Sequence, residues 1–368
     1  MNISKIIMII IAIFLTWSVI DKLIFDNRFG YGNQFDEGLN AMGPMAAAMV
    51  GFMCLSPVIG QALTPIVTPV FKLFHADPAM LAGTLLAMDM GGYPLARAMT
   101  QSDQLAVFSG GIYAAVMGPT ITFTIPISLG LLTKKDYPYL AKGVMAGVIA
   151  APFSCFAGGL FMGITPAVLI SNLSFALLLA ILLSLGLWLI PNGMLKGFHT
   201  FSKIVSFLMY ASLACAIIKA LTGLVIIKGM APIGPQLEIV GVIGITLAGA
   251  YPFVKFITTV FAKPMKSFGK VLGVNEAAIG GMVGALANSL LLLTKVKEMD
   301  DKGKVLAIAF MVPAAFAFGD HLAYASVNIP NYLMPMIITK LFGGVLSVLI
   351  AMLLIKKQAP EHVSSGTK

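Results

Sequence analysis

Charge is what this chain lacks most. Only 11% of its 368 residues are charged, whereas a soluble domain carries about 25%. No polar stretch is long enough for a soluble domain. The three cysteines, Cys54, Cys155 and Cys215, stand singly in apolar surroundings. That spacing excludes a metal cluster and a disulfide framework and leaves small buried thiols. There is no GxxxxGK[ST] loop, so the chain does not power itself by nucleotide hydrolysis, and nothing implies a cofactor. What remains is apolar: 58% hydrophobic residues and a mean hydropathy of +0.94. Runs near 20 residues recur from end to end, and each is long enough to cross a hydrocarbon layer of about 30 Å. The chain reads as an all-α polytopic membrane protein whose surroundings are lipid. The net charge of +9 belongs to loop lysines facing the cytoplasm rather than to nucleic-acid binding.

Candidate spans are 4–24, 38–60, 104–132, 138–163, 166–190, 200–226, 237–260, 303–325 and 331–355. The first follows Lys5 without a small-residue cleavage site, so it is read as a retained helix. Two further segments, 78–100 and 275–294, are rich in Gly and Ala and carry a polar residue near the middle. If both cross, basic loops divide evenly between the two sides, against the positive-inside rule. If both are re-entrant hairpins, seventeen basic residues fall inside, in 22–28, 134–142, 196–203, 263–270, 295–304 and 356–368. Only Lys5, Lys72, Arg97 and Lys228 then fall outside. The reading is therefore nine full crossings among eleven membrane segments, with the N-terminus outside and the C-terminus cytoplasmic.

Residues 85–99, LLAMDMGGYPLARAM, show how the first hairpin turns. A helix over 78–88 spans about 16 Å, reaching the midplane, where Asp89, Gly91, Gly92 and Pro94 break it. Broken backbone at that depth needs surrounding protein or a wet cavity. The second hairpin repeats the first: KLFHADPAMLAG (72–83) aligns with KVLGVNEAAIGG (270–281), and Asp89 falls opposite Asn288. MGPTITFT (117–124) likewise faces MVPAAFAF (311–318), and Ser56-Pro57 faces Tyr251-Pro252. With hairpins entering from opposite sides, the repeats are inverted. One transporter domain then covers 1–357, as repeat one (1–163), a linking helix (166–190) and repeat two (196–357), before a disordered tail (358–368). Inverted repeats with broken elements are a transporter architecture.

A carboxylate at the bilayer centre costs about 2.5–3.5 kcal/mol on insertion scales, so Asp89 needs a reason. Two are open: a cation ligand, or the cap of a half-helix. Asp320, late in span 303–325, is a second candidate ligand or a solvated interfacial acid. His321 beside it is a hydrogen-bonded neutral imidazole or a proton carrier. Asn288 can bind solute or bond a neighbouring helix. Tyr93 and Tyr324 follow the two acids by four residues, offering a hydroxyl or ring face to a cation or simple packing. Asn40, Gln61, Thr120, Thr122 and Thr124 add neutral polar groups, the threonines on backbone expected to unwind after Pro119. Glu37, Glu238 and Glu276 read as solvated span ends. Two acids with amide and aromatic neighbours suit a small cationic solute; an anion carrier would centre on Arg or Lys. An intramembrane aspartyl protease requires its two acids at one depth, and here one sits at a break and the other near a span end. Its Tyr-Asp pattern is also missing. A membrane sensor or scaffold, and a carrier of another small cation or amino compound, complete the alternatives. The sequence leaves a homo-oligomer open.

The runs FDEGLNAMGPMAAAMVGFMCLSPVIG (35–60), AMLAGTLLAMDMGGYPLA (79–96) and AFAFGDHLAYA (315–325) resemble the ethanolamine permeases of ethanolamine-utilisation operons, the EutH family. The likeness runs over nearly the whole chain. It implies bacterial inner-membrane uptake of ethanolamine for ammonia-lyase breakdown downstream, by facilitated diffusion or secondary coupling. It supplies no binding residue.

Overall fold

The structure, a computed structural model, describes residues 3–260, 267 and 269–356. The tail 358–368 and Lys263, Lys266, Lys357 and Lys368 of the charge count lie outside the described residues. The described chain is helical, with no strand. By length and composition eight helices can cross a membrane. They are α1 (Ile3–Ile24), α2 (Tyr31–Asn40) continued by α3 (Met42–Leu73), α6 (Asp103–Leu131), α7 (Tyr137–Phe161), α8 (Pro166–Leu189), α9 (Pro191–Thr222), α10 (Ile233–Val260) and α15 (Leu333–Lys356). The short elements are α4 (Met80–Leu85), α5 (Tyr93–Met99), α11 (Glu276–Ala287), α12 (Ser289–Leu293), α13 (Asp301–Ala314) and α14 (Asp320–Asn328).

Two expectations are corrected. The span expected at 303–325 is not continuous. It breaks between α13 and α14, where Ala315 is extended and Phe316 takes a positive φ of 64°. The reason is a pairing invisible along the sequence: the Phe316 and Phe318 N–H groups donate to the carbonyls of Ala285 and Leu286, at 2.9 and 2.8 Å. Backbone groups bonded to the end of α11 are not free to close helical turns. The span expected at 38–60 runs on to Leu73, through Pro57, Pro65 and Pro69. Each proline follows a hydroxyl residue that bonds the carbonyl four residues back: Ser56 to Phe52, Thr64 to Gly60 and Thr68 to Thr64, at 2.6–2.8 Å. These hydroxyls bond the carbonyls one residue before those that the prolines leave without an N–H donor, and hydroxyl side chains of this kind are among the local adjustments by which membrane helices tolerate proline.

The two hairpins double back. Thr100, after the first, donates to Asp77 Oδ2, before it, at 2.6 Å. Asp77 Oδ1 also accepts the Ala79 N–H at 2.8 Å. In the second, Asn275 donates its N–H to Asp300 Oδ1 and its amide to the Glu298 carbonyl, both at 2.8 Å, while its Oδ1 caps α11 through the Ala278 N–H. A segment whose ends meet within hydrogen-bond distance has not crossed a layer of about 30 Å. Asp77 and Asn275, aligned in the sequence, thus both accept a backbone N–H at the start of the hairpin's first helix and clasp its base.

The core forms where α7 packs on α13 and α15, with α8 against its outer side. Small residues let α7 and α13 approach: Gly143 lies on Ile308 and Gly147 on Val312, as van der Waals packing between membrane helices favours. The first hairpin lies between α3 and α6, and α11 of the second lies on α13. A pair at 2.8 Å from Lys304, half-buried, to Asp136, buried, ties α13 to the turn before α7.

Candidate functional site

The first hairpin breaks earlier than its glycines suggest. Leu86 and Ala87 are already extended, and Met88–Gly92 form a wide turn. Gly91 has φ 98° there, a conformation in which a Cβ is strained. The Gly92 N–H closes the turn on the Ala87 carbonyl at 2.9 Å, and Pro94 lies in the first turn of α5, where a missing N–H costs nothing. The extended stretch lies directly on Gly118 of α6: a Cβ there would collide with the Leu86 carbonyl. After Pro119 the helix does not unwind. Thr120–Thr124 widen into a π turn in which Thr122 bonds the Gly118 carbonyl at 2.9 Å.

The two hairpin tips and the break in 315–319 enclose a cavity of about 460 Å³. Of the residues singled out in the sequence, Asp89, Asn288, Asp320, His321 and Asn40 line it. Asp89 is buried, and its Oδ1 stands 3.5 Å from His321 Nε2. Asp89 Oδ1, Asp320 Oδ1 and His321 Nδ1 are buried without a hydrogen-bond partner. Buried polar atoms are nearly always paired, so a group of orphans around one cavity calls for a ligand or water. Because its Oδ1 accepts nothing, that oxygen of Asp89 is not spent on capping. Capping is done at the other tip, where Asn288 Oδ1 accepts the Leu290 N–H at 2.9 Å, leaving the amide NH₂ toward Tyr251 and the cavity. Asp320 opens α14 beside the cavity; it is no solvated span end.

Tyr93, Tyr324 and Thr120 do not line the cavity. Tyr324 and Thr120 are buried behind it with hydroxyls unpartnered, and Tyr93 is half-buried. The remaining wall is apolar: Met45, Ala48, Met49, Met90, Phe123 and Phe316. The Phe123 and Phe316 rings pack edge to face at 5.6 Å, and Phe316 covers His321 at 5.3 Å.

Sequence reasoning missed three polar groups. Glu37 and Tyr251 both line the cavity. Glu37 lies one helical turn before Asn40, and that spacing alone places the two on one face. The Tyr251 hydroxyl faces Asn288 and Asp320. Lys340, in α15, is fully buried, donates to the Ala115 carbonyl and lies within electrostatic reach of Asp89 and His321. Three carboxylates against one lysine leave a cavity suited to a cation. No group of three His, Cys, Asp or Glu among the described residues is arranged to hold a metal. The depth argument against an aspartyl dyad falls, because Asp89 and Asp320 line one cavity.

Comparison with known proteins places the chain. Residues 3–354 match the family described as "Ethanolamine utilisation protein, EutH". A protein of Listeria monocytogenes named "Probable ethanolamine permease EutH" is 46% identical, over 98% of this chain and 97% of its own length. A protein of Escherichia coli with the same name is 40% identical, over 97% of each chain. Also 40% identical is the "Uncharacterized protein YxeR" of Bacillus subtilis, over 94% of this chain and 93% of its own. No solved structure matches. With eight apolar helices able to span a membrane and a family match over nearly its full length, the chain is a multi-pass membrane protein that belongs to the EutH family.

Proposed function

We propose that this protein is a permease that takes up ethanolamine across the bacterial inner membrane, binding it in the cavity between the hairpin tips. One observation carries the site: Asp89 and Asp320, from separate broken elements, line a single cavity that Asn288 and Tyr251 also line. Family membership, and relatives named as permeases, support the substrate. A primary amine with a lysine-like pKa near 10 has about one molecule in a thousand uncharged at pH 7. A carrier must therefore hold an ammonium, and a carboxylate is the matching ligand. Asp89 takes the ammonium, His321 holds Asp89 from behind, and the Asn288 amide donates to the solute hydroxyl. The Phe123 and Phe316 rings pack on the two methylenes.

Transport then follows from inverted repeats rocking about this site, the hairpins exposing it alternately to each side. The matched clasps of Asp77 and Asn275 support that symmetry. The test is uptake of labelled ethanolamine by proteoliposomes at pH 6. Asp89→Asn is expected to abolish it at normal protein levels, and wild-type uptake in that variant overturns the assignment. Because the cavity exceeds what a four-heavy-atom solute fills, choline and other small amines belong in the same assay as competitors, with and without an imposed pH gradient.

A further inference from the structure

The cavity does not end at Asn288. A second space of about 390 Å³ continues from it, sharing Glu37, Tyr251, Asn288 and Leu290 with the first. It widens past Gln34 and Gly284 to Lys255. In the topology expected from the basic residues, this is the cytoplasmic end. The opposite direction is filled. Tyr324, fully buried, neighbours Asp89 and Tyr93, and Tyr93 in turn neighbours Tyr332 and the ion pair of Arg97 with Asp103. Among the described residues, a solute at Asp89 therefore has an open route past Glu37.

The acids near that route are not equivalent. Asp21 accepts the N–H groups of Phe29, Tyr31 and Gly32 and is buried. Asp36 is paired with Lys22. Among the described residues Glu37 accepts only the Gln34 amide, at 3.2 Å, and is exposed to the space it lines. Lys255, on the far wall, places its Nζ 5.3 Å from the Tyr31 ring and faces Asp21. A cation leaving the central cavity thus meets one carboxylate free to receive it.

We infer that Glu37 is a second ammonium-binding station, between the central cavity and the cytoplasmic vestibule of Gln34 and Lys255. The inference rests on the ethanolamine reading above and adds a sidedness to it. A station on one side of the central site is felt by solute arriving from that side only. The experiment measures half-saturating ethanolamine in right-side-out and inside-out vesicles carrying the full chain. Glu37→Gln is expected to raise it about tenfold at the cytoplasmic face, the scale of one charge-assisted contact, and to leave the outer face within about twofold. Glu37→Asp is expected to recover most of the loss. In a cysteine-free background, Gln34→Cys is expected to react with a membrane-impermeant maleimide from the cytoplasmic face, more slowly when ethanolamine is present. Equal changes at both faces, no change at either, or labelling indifferent to ethanolamine overturns the station alone. A wild-type protein that moves no ethanolamine overturns the parent reading and the station with it.

Discussion

Asp89 and Asn288 show how far residue chemistry is readable before folding. A carboxylate in an apolar run demands a partner, and that demand is visible in one line of sequence. Which partner it finds is not, since His321 arrives from a helix more than two hundred positions away. The two tips also divide the work: Asn288 caps its half-helix, and Asp89 caps none and sets its Oδ1 3.5 Å from His321. Glu37 was hidden because an acid near a span end is usually solvated; only the cavity beside it gives it another meaning. Gly91 carries its own prediction. With φ 98° and the Phe52 ring where a Cβ would stand, Gly91→Ala is expected to cost about 1–3 kcal/mol, read as a lower unfolding midpoint in detergent, and to slow uptake by moving Asp89. An unchanged midpoint would show that the turn relaxes freely.

At the scale of elements, the hairpins depend on polar clasps at their bases. Thr100→Val removes a hydrogen bond to the Asp77 carboxylate and the acceptor of the Ser102 N–H and is expected to destabilise by about 1.5 kcal/mol. Asp77→Ala removes that bond and a cap together and is expected to cost about 2 kcal/mol. Chemical denaturation of the purified variants distinguishes the two; equal effects would show that the Ala79 cap contributes nothing. Gly- and Ala-rich composition with a central acid made the first hairpin legible. The break at 315–319 was not legible, because its cause is a pair of hydrogen bonds to α11, while the segment itself is as apolar as any span.

For the whole molecule, the lysine distribution and the hairpins make one joint prediction. In a cysteine-free background, His75→Cys and Gln101→Cys, both exposed, are expected to label from the same outer side of the membrane, and Lys135→Cys only from the cytoplasmic side. Labelling of positions 75 and 101 from opposite sides would rule out the first hairpin. The Lys304–Asp136 pair lies at the end assigned to the cytoplasm and joins the two halves of the chain.

By itself the sequence determined the class of the protein, most of its spanning helices, the first hairpin and the need of Asp89 for a partner. Those features follow from local quantities: run length, charge placement, glycine and proline in an apolar segment. The tertiary structure alone decided that Asp320, His321, Tyr251 and Glu37 share a cavity with Asp89, that the span at 303–325 is broken, and that Tyr93, Tyr324 and Thr120 stand behind the wall. A cavity is bounded by elements far apart along the chain, and which atoms face it depends on how helices rotate as they pack, which no local pattern records.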